Sequence, residues 1–160
     1  STESFVQGLH DMVVAGLVVG IARGIVVVMR DGRILDTLIA AAGSLLEGRS
    51  PHVAAQGMFA FQAALNFLIP SGSGQAAATM PIMAPLADIA GITRQTAVLA
   101  YQCGDGFSNM IIPTSGMLMA MLMMADVPYE RWVAFAAPLV LQLLGVSSLF
   151  LLFAVWSGYA

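Results

Sequence analysis

The sequence predicts an all-α integral membrane protein, and three observations favour this fold class. Of the 160 residues, 59% are hydrophobic and only 9% are charged, whereas about a quarter of the positions in a soluble domain carry charge. The apolar residues form long runs between short polar clusters, and several runs approach the ~20 residues that a helix needs to cross a bilayer. The 16 Gly and 7 Pro are tolerable in membrane helices, because neighbouring helices satisfy the backbone groups exposed at a break.

Charge and cysteine usage exclude several classes of function. Six Arg and no Lys oppose nine carboxylates, giving a net charge of −3, so no basic stripe exists to neutralise the phosphates of a nucleic acid. Cys103 is the only cysteine and can therefore form neither an internal disulfide nor a structural zinc site. His10 and His52 lie at predicted interfaces rather than within spans, which leaves no Ser-His-Asp set. We therefore predict that the protein is not an enzyme and binds no organic cofactor.

The first 50 residues predict a spanning helix and an interfacial helix. Met12–Met29 is an apolar run in which Arg23 is the only charge, and residues 1–33 are assigned to the first span. Residues 34–50 are assigned to an amphipathic arm helix that lies along the membrane surface, because one arc of its helical wheel is apolar. That arc consists of Ile34, Leu35, Leu38, Ile39, Ala42, Leu45 and Leu46.

Residues 51–88 predict a re-entrant helical hairpin. The apolar run His52–Ile69 is followed by Pro70–Gly74, a Pro, Ser and Gly segment that is expected to end the helix. The next apolar piece, Gln75–Ala87, contains two prolines and is too short to span comfortably. The polar tip between the two limbs is therefore expected inside the membrane, where only protein or a water-filled cavity can surround it.

The remaining sequence predicts a discontinuous helix followed by a second ordinary span. In residues 89–126, two apolar pieces flank Asp105–Asn109, which is expected to be unwound. Residues 127–160 are assigned to the last spanning helix. Its core, Trp132–Trp156, is uncharged and bounded by tryptophans, as is typical of interfacial anchors.

Two segments that are predicted to break helices share one pattern. Asn66–Gly72 and Asn109–Ser115 each consist of Asn, three apolar residues, Pro and then a hydroxyl residue. Amide, hydroxyl and freed carbonyl oxygens are neutral ligands for a small cation such as sodium, whereas the open N-terminus of a half-helix attracts an anion. Transporters hold substrate and coupling ion at such broken helices. The alternative is that the prolines shape turns and the asparagines cap helix ends.

Asp105 is the only carboxylate predicted in the bilayer interior. Because burying a charge there is expensive, an ionisable residue at that depth indicates a functional site. Asp105 could be an ion ligand, a proton carrier or the partner of a cationic substrate group. It could also form a salt bridge with Arg23, which would explain a charge within the first span.

The motifs Asn66–Gln75, Gly104–Asn109 and Pro113–Gly116 carry a resemblance that extends from about Gly8 to Ala160. Through them the sequence resembles the C-terminal half of YfcC-like carriers, which belong with the anaerobic C4-dicarboxylate carriers in the ion transporter superfamily. This resemblance implies one inverted-repeat half of an elevator-type transporter that dimerises through a scaffold domain. It also implies that the hairpin tip and the helix break line the site for ion and substrate. The candidate binding residues are Asn66, Ser71, Gly72, Ser73, Gly74, Asp105, Ser108, Asn109, Thr114 and Ser115, with Arg23 as a charge partner.

The resembled proteins are considerably longer, so the chain is expected to be a fragment or a half whose partner is an N-terminal repeat or a second copy. The implied protein is a homodimer with several spans in the bacterial inner membrane. It would carry a small carboxylate or amino acid, with Na⁺ or H⁺ as the coupling ion. The alternative is a channel or a structural membrane subunit. An intramembrane aspartyl protease is disfavoured, because Asp88, the nearest second aspartate, lies among turn residues.

Overall fold

The computed structural model describes residues 2–159, apart from some side chains of the first helix. The predictions for Arg23 and His10 lie outside the described residues. The side chains left out are those of Glu3, Ser4, Gln7, His10, Asp11, Met12, Val14, Ala15, Val18, Val19, Ala22, Arg23, Ile25 and Val26.

Seven α-helices and no strands occupy the described range, which confirms the all-α prediction. In chain order they are α1 (Thr2–Asp31), α2 (Ile34–Leu46), α3 (Pro51–Asn66), α4 (Gly72–Ala90), α5 (Arg94–Ser108), α6 (Gly116–Met124) and α7 (Tyr129–Ser157). The central packing unit consists of α3, α4, α5 and α7, while α1 packs on α2 and α6.

Within the part of the chain described in full, α7 is the helix that is long and apolar enough to cross a membrane. Its 29 residues extend a few positions beyond the predicted core, Trp132–Trp156. Large apolar side chains such as Phe135 and Trp156 are about three-quarters exposed, at 76% and 77%. Exposure of this kind suits a helix face in contact with lipid rather than water.

Helix α2 is amphipathic, but its buried face is narrower than the predicted arc. Leu35, Ile39, Ala42 and Leu46 are buried, and they repeat at intervals of three to four residues, as one helix face requires. The other members of the predicted arc, Ile34, Leu38 and Leu45, are exposed. The helix therefore keeps an outer apolar edge, which an interfacial position would cover with lipid.

The second hairpin limb differs in length from its prediction. Helix α4 contains 19 residues and continues through Pro81 and Pro85 without ending. At 1.5 Å per residue it is about 28 Å long, rather than the short piece that the apolar run Gln75–Ala87 had suggested. Both prolines lie at exposed positions of α4.

Buried polar side chains connect the two limbs of the hairpin. The Gln75 amide donates to the backbone carbonyl of Gln62 at 2.8 Å and to its side-chain oxygen at 2.7 Å. The Gln62 amide in turn donates to the Thr79 hydroxyl at 3.0 Å. All three side chains are at most 1% exposed. Because a buried polar group without a partner is costly, these bonds fix α4 against α3.

The position of the helix break also differs from its prediction. Helix α5 continues to Ser108, so Asp105 and Gly106 lie in its last turns rather than in an unwound segment. The break follows, in residues 109–115, between α5 and α6. Helix α6 follows the break, and a short loop connects α6 to α7. The cause is packing: α5 lies directly against α3, and a Cβ at position 104 would lie 3.0 Å from backbone atoms of α3.

Gly104→Ala is expected to destabilise the protein by about 1–3 kcal/mol, the usual cost of overpacking. A Cβ at position 104 would lie 3.0 Å from the backbone nitrogen of Ala63 and 3.0 Å from the carbonyl oxygen of Phe59. Backbone atoms cannot rotate away, so α3 and α5 would have to separate. Thermal unfolding of the full-length protein in detergent measures the effect. Gly106→Ala is the matched control, because a Cβ there meets nothing within 4 Å. Equal stability of the two variants would contradict the close helix contact.

The open end of the hairpin carries an exposed salt bridge. The Arg94 guanidinium binds the Asp88 carboxylate at 2.7 Å, and this hydrogen bond holds the pKa of Asp88 below its ordinary value. Thr93 caps α5 and also donates to the backbone carbonyl of Tyr159, after α7. The start of α5 and the end of α7 therefore lie together, at the end of the bundle opposite the hairpin tip.

Candidate functional site

The first repeated motif meets the end of α5, which immediately precedes the second motif, at the side chain of Asn66. Its amide nitrogen donates to the backbone carbonyl of Asp105 at 2.9 Å and to the Ser108 hydroxyl at 2.7 Å. Asn66 ends α3, whereas Asp105 and Ser108 lie in the last turns of α5. The residue that begins the first motif is thus bonded to the helix end that precedes the second break.

The orientation of the Asn66 amide follows from its partners. A backbone carbonyl can only accept a hydrogen bond, and the Ser108 hydroxyl already donates to the carbonyl of Gly104 at 2.6 Å. The amide nitrogen must therefore face both groups. The side-chain oxygen, Oδ1, faces the other way; it is buried and has no hydrogen-bond donor among the described residues. A fully buried oxygen without a donor is what a cation or a ligand N–H group requires.

A second link joins the hairpin tip to α5 through Tyr101. Its hydroxyl donates to the backbone carbonyl of Gly72, the first residue of α4, at 2.5 Å. The Asp105 carboxylate is also close, since a Cβ on Gly72 would lie 3.0 Å from Asp105 Oδ2 and 3.3 Å from the Tyr101 hydroxyl. Gly72 is therefore required for close approach. Its φ is not positive, unlike those of Gly48, Gly91 and Gly158.

The second motif also donates a hydrogen bond to the first. The Thr114 hydroxyl donates to the carbonyl of Phe67, just beyond α3, at 2.8 Å. The Asn109 amide donates to the backbone carbonyl of Asp105 at 3.0 Å and to its carboxylate oxygen at 3.2 Å. Ser115 is buried and caps α6 by accepting from the backbone of Leu118. The Asn109 and Ser115 bonds are those of the capping alternative, whereas the Thr114 bond crosses between the motifs.

The central cluster of the site consists of Asn66, Gly72, Tyr101, Asp105, Ser108 and Asn109. The remaining predicted tip residues are less involved in it. Ser71 is half-buried and precedes α4, and its hydroxyl lies 3.1 Å from the position that a Cβ on Gly74 would take. Gly74 is therefore restricted by the tip itself rather than by α5. Ser73 is exposed, on the outer side of the first turn of α4.

Two features of the site escaped sequence analysis. Tyr101 is four residues before Asp105, so both lie on one face of α5, a signal that could have identified it. The Gln62, Gln75 and Thr79 network was not predicted either, although Gln62 and Gln75 are polar residues within apolar runs. Gln75 Oε1 is a second buried oxygen without a donor among the described residues.

The cluster combines neutral oxygens, one carboxylate and a helix N-terminus. Asp105 is only 9% exposed, and its carboxylate lies beside the start of α4, where the helix dipole is positive. Among the described side chains, no group of three or more His, Cys, Asp or Glu residues forms a transition-metal site. Neutral oxygens and a carboxylate are suited to binding a small cation or a ligand that carries N–H donors.

Comparison with known proteins gives both a family and individual relatives. The family model described as "C4-dicarboxylate anaerobic carrier" (DcuC) matches residues 1–156. The chain is 42% identical, over 98% of its length, to an Escherichia coli (strain K12) protein named "Putative basic amino acid antiporter YfcC", of which it covers 32%. It is 35% identical, over 96% of its length, to an uncharacterised protein of Haemophilus influenzae, of which it covers 30%. The chain thus spans about a third of the length of these relatives. No solved structure matches it.

Proposed function

Because this chain belongs to the C4-dicarboxylate anaerobic carrier family, DcuC, we propose that it is one repeat of a secondary active transporter. That protein resides in the bacterial inner membrane and crosses it several times. The observation that carries the proposal is the junction at Asn66 between the first motif and the end of α5, just before the second motif. In a channel or a structural subunit, nothing would require a buried asparagine to connect both helix breaks and leave one oxygen without a donor.

The coupling-ion site in this proposal is centred on Asn66 Oδ1. A monovalent cation such as Na⁺ suits a neutral amide oxygen, and backbone carbonyls of the tip and the break would complete its ligand shell. The alternative coupling ion is a proton carried by Asp105. Ser108 and Asn109 support either ion indirectly, since both bond to the same turn of α5.

The position of Asp105 favours a substrate with a cationic group. A carboxylate already lies beside the first residue of α4, so a doubly anionic substrate would meet repulsion there. A zwitterionic or basic amino acid would bring an ammonium group to Asp105 and a carboxylate to the free N–H groups of the tip. The name of the Escherichia coli relative supports this class. The family description supports a C4-dicarboxylate as the second candidate.

An elevator motion is the proposed mechanism. Helices α3, α4, α5 and α7 pack together, and polar bonds join the hairpin limbs to each other and to α5. A unit connected in this way would move as one body, with the arm helix α2 linking it to a scaffold that contains α1. The proposed homodimer would form through that scaffold.

Transport by the full-length protein tests the proposal. Vesicles that contain the purified protein would be loaded with arginine or with succinate. Labelled arginine or labelled succinate would then be added outside. Accumulation that depends on a sodium or proton gradient, or on the internal substrate, supports a coupled carrier. Passive equilibration that is proportional to concentration would instead indicate a channel, and binding without movement would indicate a structural subunit.

Asp105→Asn is expected to impair amino-acid transport by at least about tenfold, which corresponds to losing ~1.4 kcal/mol of binding free energy. The substitution keeps the shape of the side chain but removes the charge that would bind an ammonium group. Equilibrium binding of arginine and succinate, across pH and sodium concentration, measures the change. A substrate role predicts weaker arginine binding with coupling retained, while an ion role predicts loss of the sodium or proton dependence. Unchanged binding and coupling would reduce Asp105 to a structural residue.

A further inference from the structure

The break between α5 and α6 exposes backbone carbonyls, and the first turn of α7 supplies donors to two of them. The Trp132 indole nitrogen donates to the carbonyl of Met110 at 2.8 Å. The Tyr129 hydroxyl donates to the carbonyl of Ile111 at 2.6 Å. The N–H group of Trp132, a residue expected at the membrane interface, thus binds the protein backbone.

We infer that Tyr129 and Trp132 are positioning residues for the ligand site, holding the linker of residues 109–115 in its binding geometry. The linker begins with Asn109 and carries Thr114 near its other end; Asn109 bonds to Asp105, and Thr114 bonds to Phe67, the residue after Asn66. Met110 and Ile111 lie between them. A shift of these two carbonyls would therefore displace the side chains on either side of them.

Helix α7, which carries these two donors, is bonded to α3. The Gln56 amide donates to the backbone carbonyl of Ser148 on α7 at 2.8 Å, and the Ser148 hydroxyl donates to the Gln56 amide oxygen at 2.8 Å. Paired bonds of this kind hold membrane helices together. The end of α3 thus supports the linker twice, directly through the Phe67 carbonyl that accepts from Thr114 and indirectly through α7. The two aromatic donors extend the ligand site to a helix that no candidate residue had included.

The chain supplies conservative variants and matched controls. Trp132→Phe and Tyr129→Phe retain an aromatic ring but remove the N–H or O–H donor. Trp156→Phe and Tyr159→Phe make the same chemical changes at the opposite end of α7, where Trp156 is 77% exposed and Tyr159 is 46% exposed. Loss of one hydrogen bond that orients a site is expected to raise the half-saturating ligand concentration about threefold to tenfold.

The test rests on the proposed function and uses full-length protein in lipid vesicles, with sodium, arginine and succinate as probes. Half-saturating concentration and maximal rate are measured for the wild type and the four variants. Intrinsic tryptophan fluorescence is recorded during each titration. Trp132→Phe and Tyr129→Phe are expected to raise the half-saturating concentration while changing the maximal rate less, and the two control variants to match the wild type. The ligand-dependent fluorescence change is expected to persist in Trp156→Phe and to decrease in Trp132→Phe.

The outcomes separate this inference from the function on which it rests. If the wild type neither binds nor transports any of the probes, the proposed function fails. If the wild type responds and Trp132→Phe binds with unchanged affinity, the positioning role is overturned. A parallel fall in expression and maximal rate, with unchanged affinity, would also overturn it, because a merely structural bond has that effect.

Discussion

Asn66→Ala is expected to abolish ion-coupled uptake, or to weaken the apparent affinity for the coupling ion at least about tenfold. The substitution removes a buried oxygen that no described residue satisfies, and hydrogen bonds or contacts to charged ligands are among the stronger ones. Folding should be retained, since the Asp105 carbonyl keeps Asn109 as a donor and the Ser108 hydroxyl keeps its bond to Gly104. Sodium-dependent uptake of arginine and succinate into vesicles measures the effect.

Asn109→Ala is a companion variant at the second motif and should also weaken coupled uptake. Its amide, just after the end of α5, bonds to the Asp105 carboxylate. Gln102→Ala is the control, because it removes an exposed amide from α5. If both asparagine variants retain the wild-type ion dependence, the repeated motif has no role in coupling.

Gly72→Val is expected to block transport while lowering expression much less. The first atom of any side chain at this position lies 3.0 Å from the Asp105 carboxylate and 3.3 Å from the Tyr101 hydroxyl, closer than ordinary contact. The two methyl groups of valine would then occupy the space between α4 and α5. The site would either open or lose the Tyr101 bond. Uptake rate relative to the amount of folded protein, assayed by gel filtration in detergent, gives the result.

Gly74→Val and Gly106→Ala serve as comparisons for that variant. At position 74 the nearest atom is the flexible Ser71 hydroxyl, at 3.1 Å, and at position 106 nothing lies within 4 Å. We expect Gly74→Val to impair transport by distorting the tip and Gly106→Ala to leave it unchanged. Normal transport by both valine variants would mean that the tip is a passive turn.

Hydrophobic runs were sufficient to predict the all-α class, because a chain with so little charge is suited to lipid. There, helices satisfy the hydrogen bonds of the backbone internally. The repeated Asn-x-x-x-Pro pattern also indicated two interruptions. In the structure, helices end at Asn66 and Ser108, within one residue of the two motif asparagines. Local chemistry explains this agreement, since proline disfavours a helical conformation in the residue before it.

The exact extent of the broken helices could not be predicted from local signals. Gly104 and Gly106 suggested an unwound segment around Asp105, yet Gly104 serves close packing against α3, and the helix continues. Likewise, the apolar run Gln75–Ala87 suggested a short limb, whereas α4 extends over 19 residues and carries Pro81 and Pro85 at exposed positions. For α5, tertiary packing outweighed an intrinsic preference.

The contacts that build the candidate site depend on pairs far apart in the chain. The Tyr101 bond to Gly72 joins positions 29 residues apart, and the Thr114 bond to Phe67 joins positions 47 residues apart. No periodicity relates such residues. The candidate residues were therefore predictable by type, whereas their partners required the fold.

The most direct test of the central claim is whether one ligand protects both motifs from chemical modification. Ser71→Cys and Thr114→Cys replace half-buried residues. Each would be introduced singly into full-length protein that carries Cys103→Ala. Ser44→Cys, at an exposed position of α2, is the control. Modification by a membrane-permeant maleimide is then measured against sodium, arginine and succinate concentration. If the tip and the break form one site, the same probe will protect both positions over the same concentration range and leave position 44 unprotected. Protection of one motif without the other would contradict a shared site.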